Sequence, residues 1–185
     1  MSEQPVLSGA ITLGSNDFEL FGLEPRMAQN RAALDLRWKA LQREAHPDKF
    51  AAQGAAAQRV AMQWSVRINE AYQRLKDPLR RAAYLCELNG VPVNAENNTA
   101  MPADFLMKQI EWREMLDEAV TVQDVDKIAQ LLKQEKLNML QKCEHSLDTE
   151  PDFRQAVGHV RSLMFVERLT HDVNQRLEQL ESNSA

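Results

Sequence analysis

Leu34-Asp35-Leu36-Arg37-Trp38-Lys39-Ala40-Leu41-Gln42-Arg43-Glu44-Ala45-His46-Pro47-Asp48-Lys49-Phe50 is the stretch that decides the fold. Leu34, Trp38, Leu41 and Ala45 stand at offsets of four, three and four, one face of an amphipathic helix from about Asn30 to Ala45. Pro47 stops that helix, because it has no N–H to donate and disfavours helical angles at His46. A loop runs on to Gly54. From about Ala55 to Lys76 the period returns in Val60, Trp64, Ile68 (or the aliphatic stem of Arg67), Ala71 and Leu75. Two helices with facing stripes and a connection of ten residues predict an antiparallel hairpin, with His46-Pro47-Asp48 at its end.

Upstream, Asn16-Asp17-Phe18-Glu19-Leu20-Phe21-Gly22-Leu23 offers a capping Asn or Asp, one apolar turn and a glycine stop, hence a short helix. Downstream, Asp77-Pro78 is a cap followed by proline at the first helical position, and a helix over Leu79–Leu88 ends at Asn89-Gly90. Residues 91–101 are polar and aperiodic. Pro102 opens a second helical region, with Phe105, Leu106, Ile110, Leu116 and Val120 along its first helix. Thr121-Val122-Gln123-Asp124 is a near capping box for the next helix, which runs to about Leu147. Thr149-Glu150-Pro151 starts the last, to about Leu180. Short connections let these three bury their stripes as a bundle. The expected architecture is all-α: an extension over 1–15, a hairpin domain with its connecting helix over 16–88, a linker over 89–101 and a helical domain over 102–182.

The chain has 185 residues, with 44% hydrophobic and 26% charged, enough for packed cores. Residues 1–88 carry 12 Lys and Arg against 10 Asp and Glu, a net +2; residues 89–185 carry 10 against 17, a net −7. That asymmetry predicts regions with different partners, and neither has the basic stripe of a nucleic-acid binder. No apolar run reaches the length of a membrane span. The first sixteen residues have no apolar signal core and no Arg or Lys, unlike a secretory signal or a mitochondrial presequence. Cys86 and Cys143 stand alone, which argues against zinc and a disulfide framework; two half-buried thiols are expected.

Taken alone, His46-Pro47-Asp48 is ordinary turn chemistry. Its company changes that reading. The segment Asn16–Leu23 resembles the opening of J domains, and His46-Pro47-Asp48-Lys49-Phe50 resembles their signature loop. Ile68-Asn69-Glu70-Ala71-Tyr72-Gln73-Arg74-Leu75 is similar to their third helix, and Asp77-Pro78-Leu79-Arg80-Arg81-Ala82-Ala83-Tyr84 to their closing segment. The resemblance implies a co-chaperone that activates a DnaK-type chaperone ATPase. Such a protein accelerates hydrolysis by favouring one chaperone conformation and supplies no catalytic group. A stiff hairpin end would lower the entropy cost of docking His46 and Asp48, and Asp48 could accept from an arginine of the partner. Arg37, Lys39, Arg43 and Lys49 would favour approach to an acidic surface; equally, each could be part of a solvated helix face. Two departures stand out. Many J domains have tyrosine before the tripeptide where this chain has Ala45, so looser hairpin packing is expected there. Leu85 rather than aspartate follows Tyr84, and no Gly/Phe-rich tract appears, unlike a general DnaJ.

In the second region Leu106, Ile110 and Glu114 fall at four-residue steps, with Met107, Glu111 and Glu118 on the adjoining side. By pattern this is either a core stripe with a solvated acidic face or a docking face edged by carboxylates. The run Phe105-Leu106-Met107-Lys108-Gln109-Ile110-Glu111-Trp112-Arg113-Glu114-Met115-Leu116-Asp117-Glu118, with Arg161-Ser162-Leu163-Met164-Phe165, resembles the HscB family of J proteins, specialised for iron–sulfur cluster assembly. That resemblance implies two partners, the chaperone HscA and the cluster scaffold IscU. It puts Leu106, Met107, Ile110, Glu111, Glu114, Glu118 and Phe165 at the scaffold contact. It implies no cofactor and no metal ligand of the chain's own. Without the paired-cysteine zinc module of some eukaryotic relatives, a bacterial cytoplasmic protein is expected. An enzyme using His46 and Asp48 as acid and base is the weaker alternative, since one exposed turn supplies no pocket, nucleophile or metal cluster.

Overall fold

Helix α1 (Asp17–Phe21) starts where the Asn16 side chain accepts from the Glu19 N–H and the Glu19 carboxylate accepts from the Asn16 N–H, a capping box closing one apolar turn. Asp17 is therefore not the cap. It is buried, and it meets Arg67 and Arg74 at 2.6 and 3.0 Å. The computed structural model describes residues 11–94, 101 and 103–184, which hold seven α-helices and no strand. Residues 1–10 of the expected extension, 95–100 of the expected linker, and Pro102 lie outside the described residues.

Helices α2 (Arg31–Glu44) and α3 (Ala55–Lys76) form the hairpin. Leu34, Leu41 and Ala45 are buried, facing a stripe of Ala61, Trp64, Ile68, Ala71 and Leu75. Val60 is only half-buried and Ala61 takes its place in the core, because 61, 64, 68, 71 and 75 keep the three-four step. Trp38 stays half-exposed as well. Its ring stacks on Tyr72 at 4.6 Å, and its Nε1 donates to Asn69 Oδ1 at 2.9 Å, where Gln42 Nε2 also donates at 2.8 Å. The slack expected at Ala45 is absent. Its side chain is buried, and with no large ring there the Ser65 hydroxyl reaches the Ala45 carbonyl at 3.1 Å.

Asp77 Oδ1 accepts from the Arg80 N–H at 2.9 Å and starts α4 (Pro78–Leu88). The chain divides into two compact units, Met1–Arg81 and Ala82–Ala185, a division that falls inside α4. Arg81 is buried in the first unit, donating to the carbonyls of Met27 and Leu75.

The second unit continues with α5 (Ala103–Glu118), α6 (Val122–Glu144) and α7 (Phe153–Ser184). Thr121 and Asp124 complete the capping box of α6. The core of this unit holds Ile128 and Leu132 of α6, Val160, Leu163, Val166 and Leu169 of α7, and Phe105 of α5. Val120, expected along the first helix here, lies beyond its end and is 73% exposed. The last helix begins later than Thr149-Glu150-Pro151. A π turn over His145–Thr149 first closes α6, the Glu150 and Asp152 N–H groups bond back to His145 and Ser146, and Asp152 then caps α7 through the Gln155 N–H. Cys86 and Cys143 are fully buried, not half-buried, and burial pushes their thiols up to about 11 and about 12.

Candidate functional site

Pro47 converts the end of the hairpin into a 3₁₀ turn over Pro47–Gln53, where the sequence suggested an irregular loop. Proline at the first position fits, since the N–H it lacks would have no partner in the turn. His46 caps it: its Nδ1 accepts from the Asp48 N–H at 3.3 Å, while the His46 carbonyl accepts from the Lys49 N–H at 3.0 Å. With Nδ1 an acceptor, the ring's Nε2–H is the donor left for another molecule. The Asp48 carboxylate stands 3.6 Å from Nδ1, and the two side chains are 56% and 90% exposed. At the far end Gly54 has φ +94, a conformation open to glycine, so the chain turns directly into α3. None of the seven residues of the turn is buried.

The cations suggested by sequence do not gather around the tripeptide as a single cluster. Lys39, Arg43 and Lys49 are exposed and Arg37 is half-buried. The Asp35 carboxyl is held low chiefly by the hydrogen bond from the Tyr72 hydroxyl, with a smaller contribution from the charge of Lys39. Asp48 likewise lies in open solvent. The arrangement offers exposed donors and acceptors on a braced turn.

In the second unit α5 is apolar on both sides. Phe105 and Trp112 are buried, with their rings edge to face at 5.8 Å, while Leu106, Met107 and Ile110 are 43%, 70% and 56% exposed. Glu111, Glu114 and Glu118 are exposed beside them. The residues of α5 suggested by sequence thus lie outward, an apolar strip edged by carboxylates, and Leu106, Met107 and Ile110 are not part of the core. Phe165 is on α7 and half-buried. Its ring meets Phe105 at 5.9 Å and lies under the Arg113 guanidinium at 5.4 Å. Arg113 was not singled out from the sequence, and Phe105, named there on one helix with Leu106 and Ile110, turns inward while they face out. Also missed was Glu135 of α6, buried within the apolar stripe of its helix and contacted by Lys108 Nζ at 3.1 Å to each carboxylate oxygen. An open polar cavity of about 610 Å³ lies beside that pair, reaching Lys142, His145 and His159. Among the described residues no group of three or more His, Cys, Asp or Glu side chains could hold a metal ion, and no helix is long and apolar enough to cross a membrane.

Residues 101–174 match the family described as the HSCB C-terminal oligomerisation domain. Over 175 residues the chain is 45% identical to the co-chaperone protein HscB homolog of Burkholderia multivorans, covering 93% of this chain and 99% of that one. The homolog of Burkholderia mallei is 46% identical over 174 residues, covering 92% and 99%. Among solved structures, chaperone HscB from Vibrio cholerae has a TM-score of 0.75 at 31% identity, covering 90% of this chain and 99% of that one. The human co-chaperone protein HscB has the same fold, with a TM-score of 0.83 at 23% identity over 90% of this chain and 84% of that one. A braced His46-Pro47-Asp48 turn, an outward apolar strip on α5 and similarity along nearly the whole length agree: the chain belongs to the HscB family of co-chaperones.

Proposed function

We propose that this protein is the J-domain co-chaperone of iron–sulfur cluster assembly, which brings the scaffold IscU to the DnaK-type chaperone HscA and stimulates HscA ATP hydrolysis. The observation that carries the reading is the exposed His46-Pro47-Asp48 turn, braced by its own backbone at the end of the α2–α3 hairpin. The J domain extends over 16–88 and the client-binding domain over 102–182, joined through 89–101. Arg37, Lys39, Arg43 and Lys49 steer the hairpin to an acidic chaperone surface, and His46 and Asp48 make the directional contacts. Leu106, Met107, Ile110 and Phe165 receive the apolar part of IscU, and Glu111, Glu114 and Glu118 its basic rim. The reaction catalysed belongs to the chaperone. The setting is the bacterial cytoplasm.

The test is single-turnover ATP hydrolysis by HscA. His46→Gln is expected to abolish stimulation while leaving helicity by circular dichroism intact. Normal stimulation by that variant would sink the mechanism. Leu106→Ala with Phe165→Ala is expected to weaken IscU binding, each truncated anchor costing about 2 kcal/mol if it is a hot spot. Unchanged affinity by calorimetry, with HscA stimulation intact, would leave a J-domain co-chaperone serving another client.

A further inference from the structure

Helix α5 has two apolar sides and could bury either, so hydrophobic burial alone does not decide which one faces solvent. Phe105 and Trp112, seven residues apart, form a narrow inward seam, while Leu106, Met107 and Ile110 point out. Lys108 occupies the seam between Phe105 and Trp112. It lies two residues from both Leu106 and Ile110, hence on the far side of the helix from them.

The partner of Lys108 is anomalous in its own helix. Val125, Ile128, Leu132, Met139 and Cys143 form the buried apolar stripe of α6, and Glu135 interrupts it at 6% exposure. A carboxylate there is costly unless a cation reaches it. Lys108 Nζ does so, at 3.1 Å to each oxygen. A rotation of α5 that buried Leu106 and Ile110 would carry Lys108 away from α6 and leave Glu135 without it. Buried ion pairs add little net stability, and their best-attested use is to specify one register over another.

We propose that the Lys108–Glu135 pair sets the rotation of α5 and so keeps Leu106, Met107 and Ile110 outward for the client. Both are positioning residues. The client part of this inference rests on the functional reading above; the rotation does not.

The experiment reads rotation and binding separately. Met107→Cys supplies an exposed thiol, against Cys86 and Cys143 that are buried, and its labelling rate by a thiol reagent reports how far position 107 faces solvent. Replacing the pair by apolar side chains, Lys108→Met with Glu135→Leu, is expected to keep or raise the unfolding temperature. It should also slow labelling at position 107 about tenfold as the competing register becomes populated, and weaken IscU binding by a similar factor. Glu135→Gln, which keeps the shape, should slow labelling by a smaller factor, and Lys108→Arg should preserve both readouts. Unchanged labelling in the apolar pair and in Glu135→Gln overturns the inference, even if Leu106→Ala still weakens binding. Slower labelling with unchanged IscU affinity upholds the rotation and removes IscU from this face.

Discussion

At position 159 of α7 a half-buried imidazole presents an Nδ1 with no hydrogen-bond partner among the described residues. Burial first, and then the Lys142 ammonium, hold its pKa below the ordinary 6.5, while Asp104 and Asp152 pull weakly the other way. The unfolded chain therefore binds the proton more readily than the folded one. Stability is expected to fall as pH drops through the ordinary histidine value towards the folded pKa, and to lose nothing more from this group below it. Urea-unfolding midpoints between about pH 7 and pH 5 check this. A profile equally steep in His159→Gln would assign the acid sensitivity elsewhere. Asp17 shows a similar limit of sequence reading. In the string it is one of two neighbouring cap candidates, yet in space it is a buried carboxylate answered by Arg67 and Arg74, fifty and fifty-seven positions away. His46 and Asp48 needed no such distant knowledge, because the turn that displays them is made by Pro47 and its immediate neighbours.

Helix ends and stripes follow from local chemistry, and most were legible. Asn16, Asn30, Asp77 and Thr121 cap helices where their side chains reach the next free N–H groups. At Thr121 the hydroxyl donates to Asp124 Oδ2 at 2.6 Å, the leading reason the Asp124 carboxyl sits below the usual range. Thr121→Ala is expected to cost about 1 kcal/mol near neutral pH, by chemical denaturation. It should also return the Asp124 pKa towards 3.8, followed by carbon-detected NMR titration. Because the folded pKa is the depressed one, the Asp124 contribution exists above the ordinary carboxylate value and is lost as pH falls through the folded pKa. An unmoved Asp124 titration would show that the hydroxyl is not its main partner. The start of α7 was not legible. The π turn that delays it to Phe153 depends on backbone bonds back to His145 and Ser146 after α6 has ended.

Each compact unit carries one of the two proposed contact surfaces, exposed in both cases: the tripeptide in Met1–Arg81 and the α5 strip in Ala82–Ala185. Because the two sets lie in separate compact units, their substitutions are expected to act independently. Leu106→Ala should leave HscA stimulation by the free co-chaperone unchanged while lowering IscU affinity, and His46→Gln should do the reverse. The paired measurement is steady-state ATPase without client and calorimetry without chaperone. A variant that disturbs both would mean that the two surfaces are energetically coupled.

The sequence by itself determined the helices, the hairpin and the identity of the displayed tripeptide, because periodicity, caps and proline act over a few residues. It also marked the outward residues of α5, but through resemblance, since a helix apolar on both sides carries no internal statement of which side is buried. That choice was made by tertiary structure. Phe105 and Trp112 found their places in the second unit, Glu135 of α6 needed a cation, and only one rotation of α5 gives it Lys108. The division inside α4 was decided the same way: Pro78 starts a single helix, but Arg81 is held by carbonyls of the first unit and Cys86 is buried in the second. Local rules build an element, and the unsatisfied groups of its neighbours decide how it is turned.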